Sequence, residues 1–82
     1  MPLYMDRHDL PGVKAVDVAK AHEADLKVQG KYGVDYQHYW VDEKGGHVWC
    51  LVKAPDKATA TRVHKEAHGL EAHELNEVSQ GA

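Results

Sequence analysis

One cysteine, Cys50, is all the thiol chemistry this 82-residue chain has. No intrachain disulfide can therefore staple it, and a thiolate cage for structural zinc or an iron–sulfur cluster is excluded. Within "VWCLV" that thiol reads as a small core hydrophobe. Basic blocks are missing too: the formal net charge is −3 with neutral histidines, which argues against nucleic acid as a partner. No apolar run approaches the roughly 20 residues of a membrane helix. "MPLYMDRHD" lacks the basic-then-apolar pattern of an export signal, so the expectation is a soluble cytoplasmic protein.

What the chain has in excess is histidine. There are seven, where a chain of this length carries about two. Three of them, His64, His68 and His73, fall in "RVHKEAHGLEAHE", residues 62–74. That stretch suits a metal site or the wet end of a helix, and the rest of the sequence has to choose between them.

The length points to one small domain over residues 1–82. At this size folding buries only roughly 60–65% of the unfolded chain's surface, so a second copy or a bound ion is a natural staple. "LYMDRH" alternates as a short strand and "LPG" ends it. From Ala15 to about Gln29 the spacing predicts a helix with Ala15, Val18, Ala19, His22 and Leu26 on its apolar face and Asp25 elsewhere. "VDYQHYWVD" and "HVWCLVKA", joined by "EKGG", make a hairpin. Asp56 caps a second helix striped by Ala60, Val63 and Ala67, and Gly69 supplies its left-handed stop. "LEAHELNEV" fits only an edge strand.

The order β-α-β-β-α-β predicts an α+β, ferredoxin-like sandwich: an antiparallel sheet in strand order 4-1-3-2, with both helices on one face. That topology gathers His8, His47, His68 and His73 along one rim, with His64 a helical turn below, several within roughly 10–12 Å of each other. Hairpin pairing puts Tyr36, His38, Trp40, Trp49 and Leu51 on the face the helices leave bare. So apolar a face calls for a homodimer closed sheet to sheet, a dimeric α/β barrel. The sharper reading is a cavity between the sheets around His38, Tyr36 and Trp40, as in a small dimeric barrel enzyme.

His64 and His68, at i and i+4, can both reach one ion. The position after His64 is Lys65 rather than a glutamate base, so "HxxxH" is not a zinc-peptidase site. An acylphosphatase loop is also missing between Asp9 and Lys14. His8 lies near Asp6 and Asp9, His73 between Glu71 and Glu74, and His22 on the first helix opposite His64. The candidate metal ligands are thus His8, His64, His68, His73 and His22. Imidazole with carboxylate suits Ni²⁺, Cu²⁺, Zn²⁺ or Co²⁺, and binding should weaken below about pH 6 as the rings protonate.

Three stretches, "YMDRHDLPGV", "YWVDEKGGHVWCLVKAPDK" and "VHKEAHGL", together resemble a family of small bacterial nickel-binding proteins with a ferredoxin-like fold. The likeness runs from Leu3 to about Val78. It implies a homodimer that holds nickel at histidine-containing surface sites, for sequestration or detoxification rather than turnover. His8, His64 and His68 lie in the matching motifs; His38, His47 and His73 enter on geometry alone.

Overall fold

The computed structural model describes residues 1–81. Its elements are β1 (Leu3–Asp9), α1 (Ala15–Val28) with a 3₁₀ turn over Gln29–Tyr32, β2 (Asp35–Asp42), β3 (His47–Lys53), α2 (Lys57–Ala67) and β4 (Glu74–Glu77). The sheet runs β2-β3-β1-β4, antiparallel throughout. This is the ferredoxin-like order expected from the sequence, with both helices on one face.

Alternation along β1 decides which chemistry goes inside. Tyr4, Asp6 and His8 are buried, while Leu3, Met5, Arg7 and Asp9 point the other way. The helix-facing side continues through Val48, Cys50 and Val52 of β3, and Val18, Ala60 and Val63 close over it. Cys50 is a core residue, as its apolar neighbours suggested. Asp56 caps α2 by accepting from the Thr59 N–H at 2.7 Å. Gly69, at φ +80°, sits just past its end, and its N–H bonds to the His64 carbonyl.

Two local expectations need correcting. Simple hairpin pairing puts Tyr36 on the bare face, yet it pairs with Val52 and is 2% exposed in the core. The ladder shifts between Tyr36 and His38, leaving Gln37 as the extra residue of a bulge, and a one-residue slip moves a side chain to the opposite face. Tyr36 then donates its hydroxyl to the Ala60 carbonyl at 2.9 Å. Tyr36 therefore shares no face with His38 and Trp40. On α1 the buried stripe includes Val18 and Asp25, and Leu26 is 47% exposed. The carboxylate displaced the leucine because imidazoles wait for it inside.

Gly46 ties the β1–α1 loop down over the hairpin turn. Its carbonyl accepts from the Leu10 N–H at 2.7 Å, and a Cβ there would lie 2.9 Å from Pro11 Cα. That close approach holds Leu10 and Val13 against the core.

Candidate metal centre

Between the sheet and the two helices runs a chain of alternating carboxylates and imidazoles. Asp6, 1% exposed, accepts from the Cys50 backbone N–H at 3.1 Å through Oδ1. The same oxygen lies 3.3 Å from His8 Nε2, and its Oδ2 lies 2.9 Å from His64 Nε2. The far side of the His64 ring continues the chain: Nδ1 is 2.9 Å from Asp25 Oδ1. His68 Nε2 completes it, 3.1 Å from both Asp25 Oδ1 and His64 Nδ1.

An ionised carboxylate has no hydrogen to give, so both His64 nitrogens must donate and the ring is an imidazolium. Burial by itself would lower the His64 pKa, but the hydrogen bonds to Asp25 and Asp6 prevail and raise it to about 9. Burial alone would raise Asp6, and the His64 and His8 hydrogen bonds outweigh it, holding the carboxyl at about 2. Asp25 is lowered for the same reason, with His64 and His68 overcoming its desolvation. Burial, then the Asp6 charge, pushes the Cys50 thiol well above its ordinary range. The Tyr36 ring lies against His64, centroids 4.3 Å apart and 30° from coplanar, a good seat for a cationic ring.

Asp25 Oδ1, His64 Nδ1 and His68 Nε2 are mutually separated by 2.9, 3.1 and 3.1 Å. Ligand atoms on one face of an octahedron, each about 2.1 Å from a small divalent ion, stand about 3.0 Å apart. The triangle has the dimensions of such a face. Asp6, bonded to the opposite His64 nitrogen, occupies the place of the outer carboxylate that fixes a ligating ring's tautomer. A second grouping shares His64: one donor atom each from Asp6, His8, Cys50 and His64 lies within 4.8 Å of the others.

The structure thus brings His8, His64 and His68 together, with ring centroids 5.0 Å apart for His8–His64 and 4.8 Å for His64–His68. It does so in the interior rather than along a rim, since His8 is 3% and His64 2% exposed. His64 is not the wet end of a helix. His22 lines a cavity together with His8, Asp25, His64 and His68 but rests on the Tyr39 ring, centroids 4.9 Å apart. His73 and His47 go elsewhere: His73 Nδ1 accepts from the Asp9 N–H at 3.1 Å, and His47 Nδ1 is 2.8 Å from Asp9 Oδ1. There they share the surface with Arg7, which bonds Asp9 and Glu74.

Asp25 is the residue that sequence reasoning missed, and Asp6 was noticed only as a nearby oxygen donor. Both left a signal. Asp6 shares the period-2 face of Tyr4 and His8, while Asp25 lies three residues from His22 and seven from Val18, on one helical stripe.

Among known proteins, no curated sequence matches this chain. The crystal structure of SCO4226 from Streptomyces coelicolor A3(2) aligns with it at a TM-score of 0.90 and 33% identity, over 98% of this chain and 99% of that one. The family model described as nickel responsive protein SCO4226-like matches residues 4–78, a span that holds Asp6, His8, Asp25, His64 and His68 of the buried centre, and so the chain belongs to the SCO4226-like family of nickel-responsive proteins.

Proposed function

We propose that this protein binds a divalent metal ion, nickel, as cargo and without catalysis, in the service of nickel sequestration or detoxification. The observation that carries the reading is the donor triangle of Asp25, His64 and His68, with edges near 3 Å. One carboxylate and two imidazoles suit borderline ions, so Zn²⁺, Cu²⁺ and Co²⁺ compete on chemistry alone, and the family description supports nickel. Asp25, His64 Nδ1 and His68 Nε2 hold the ion, and Asp6 orients His64 from behind. His8 and Cys50 belong to the adjoining group. His22 faces the same cavity, while His73 stands with His47 on the outer surface as an auxiliary surface ligand.

Loading exchanges protons for metal. His64 must lose the proton shared with Asp25. His68 Nδ1 now accepts from the Leu70 N–H at 3.1 Å, so a neutral ring carries its hydrogen on Nε2, the atom the ion needs. Binding moves that hydrogen to Nδ1 and releases the Leu70 amide, a change confined to the Gly69–Leu70 turn.

The working unit is a homodimer. The face opposite the helices presents Met5, Trp40 and Trp49, with Trp40 49% exposed, and a second sheet is the simplest cover. No helix among the described residues is long and apolar enough to cross a membrane; the proposed location is the cytoplasm. Calorimetric titration of Ni²⁺ into wild type and a His64→Ala/His68→Ala double variant tests the site. Affinity should fall at least about a hundredfold, and equal affinity would remove these residues from it.

A further inference from the structure

We propose that the cavity under α1 is the ion's way into the buried donor triangle, an inference that rests on the metal-binding reading. His22 serves the passage as a transit ligand and Asp17 as its outer charge, two residues the triangle does not use. Asp25 and His64 are each 2% exposed, so an ion that reaches them has to cross protein. Asp25, His64 and His68 form part of the cavity wall, and Asp17 and Leu70 on the same wall are exposed. The cavity therefore joins the buried centre to two solvent-facing side chains.

Its size dictates what the passage must do. The volume is about 70 Å³, room for about two waters at about 30 Å³ each, against the about six of an octahedral hydration shell. A divalent ion can enter only after shedding most of its water, and Leu10, Val13 and Val48 on the wall give nothing in return. Polar groups along α1 supply the replacement. Asp17, Ala21 and Asp25 follow at intervals of four, each about 6 Å further along the helix axis. Ala21, between the two acids, is small enough to leave the way open. His22, three residues and so about one turn from Asp25, is half-buried with its ring seated on Tyr39. An imidazole there can take one coordination position as water leaves, then pass the ion to Asp25 and His68. Asp17 at the rim concentrates cations before entry.

A group that touches the ion only in passage changes entry and exit rates together and leaves equilibrium affinity alone, whereas a resident ligand changes affinity. Ni²⁺ is therefore mixed with chelator-treated protein by stopped flow, with an absorbing nickel indicator as the readout. Release is followed into excess EDTA, and affinity comes from calorimetry. His22→Ala should slow both rates by at least about tenfold, although it widens the passage, with Kd within about twofold. Ala21→Leu, which narrows the passage, should slow both rates as well. Leu70→Ala, on the exposed turn, should hasten both, and it keeps the route testable if the leucine variant folds poorly. Asp17→Asn should slow entry by about threefold at low ionic strength and by little in about 0.5 M salt. Unchanged or faster rates in His22→Ala would overturn the transit role, as would a Kd weakened by faster exit alone, the mark of a resident ligand. Rates indifferent to Ala21→Leu and Leu70→Ala would overturn the route. Each of these results leaves nickel binding by the triangle standing, whereas a wild type that binds no nickel removes both.

Discussion

Two regions of this molecule are built from the same residue types and have opposite physics. Inside, Asp6, His8, Asp25, His64 and His68 form a carboxylate–imidazole chain, nearly all of it out of reach of water. Outside, Asp9, His47 and His73, with Arg7 and Glu74, form a similar-looking cluster at the far end of β1, wet and open. In the interior each charge was stripped of water and must be held by its neighbours, so removing one member exposes the full desolvation cost of another. On the surface, water and salt stand ready to replace any partner, and exposed ion pairs contribute little. Histidine count therefore says less than histidine placement. One residue along β1, from His8 to Asp9, crosses from one regime to the other.

The largest expected effect sharpens this contrast. Asp25→Asn keeps the shape but removes the charge shared by His64 and His68; it should weaken nickel by at least about a hundredfold in calorimetry. It should also destabilise the apoprotein by about 3–5 kcal/mol in urea unfolding, since it breaks a buried pair from one side. His47→Ala with His73→Ala touches only the auxiliary surface position and should leave the affinity of the interior nickel site within about twofold; a loss there comparable to that of Asp25→Asn would break the comparison.

Next in size is the pH dependence of the apoprotein. The folded pKa of His64, about 9, lies above its ordinary 6.5. Its contribution is therefore complete below pH 6.5 and disappears as pH rises through 9, for a loss of about 3 kcal/mol. Asp6 is displaced downward, from 3.8 to about 2, so its share is present above pH 3.8 and lost as pH falls through 2. Both shifts describe one His64–Asp6 interaction and are not summed. Urea melts across pH 4–10 should show highest stability near pH 4–6.5, with His64→Gln flattening the alkaline limb.

The same proton governs loading. Ordinary imidazole predicts that binding weakens below about pH 6. A proton held to about 9 shifts that weakening upward: nickel affinity should still be climbing between pH 7 and 9, with proton release seen as a buffer-dependent calorimetric enthalpy. A plateau above pH 7 would place the ion away from His64.

A smaller effect is expected from the open sheet face. Trp40→Glu should halve the mass seen by light scattering at micromolar concentration while nickel per chain is unchanged. A coupled loss of nickel would mean that the site draws on both chains.

The amino-acid order by itself settled a great deal. Alternation in "LYMDRH" and "HVWCLV", the glycine turn between Asp42 and His47, the Asp56 cap and the Gly69 stop are local signals, and local sterics and hydrogen bonding enforce them wherever the segment sits. Topology followed from them, and with it the meeting of His8 with His64 and His68. What only tertiary structure decided is depth and side. The Gln37 bulge turned Tyr36 inward, and no pattern within β2 announces a single-residue slip. Asp25 took an interior position that apolar periodicity assigns to Leu26, because burying a carboxylate is favourable only where two imidazoles from another helix meet it. Whether a histidine is a solvated terminus or an imidazolium locked between two acids depends on what packs across from it, and that partner lies 39 residues away for Asp25 and 58 for Asp6.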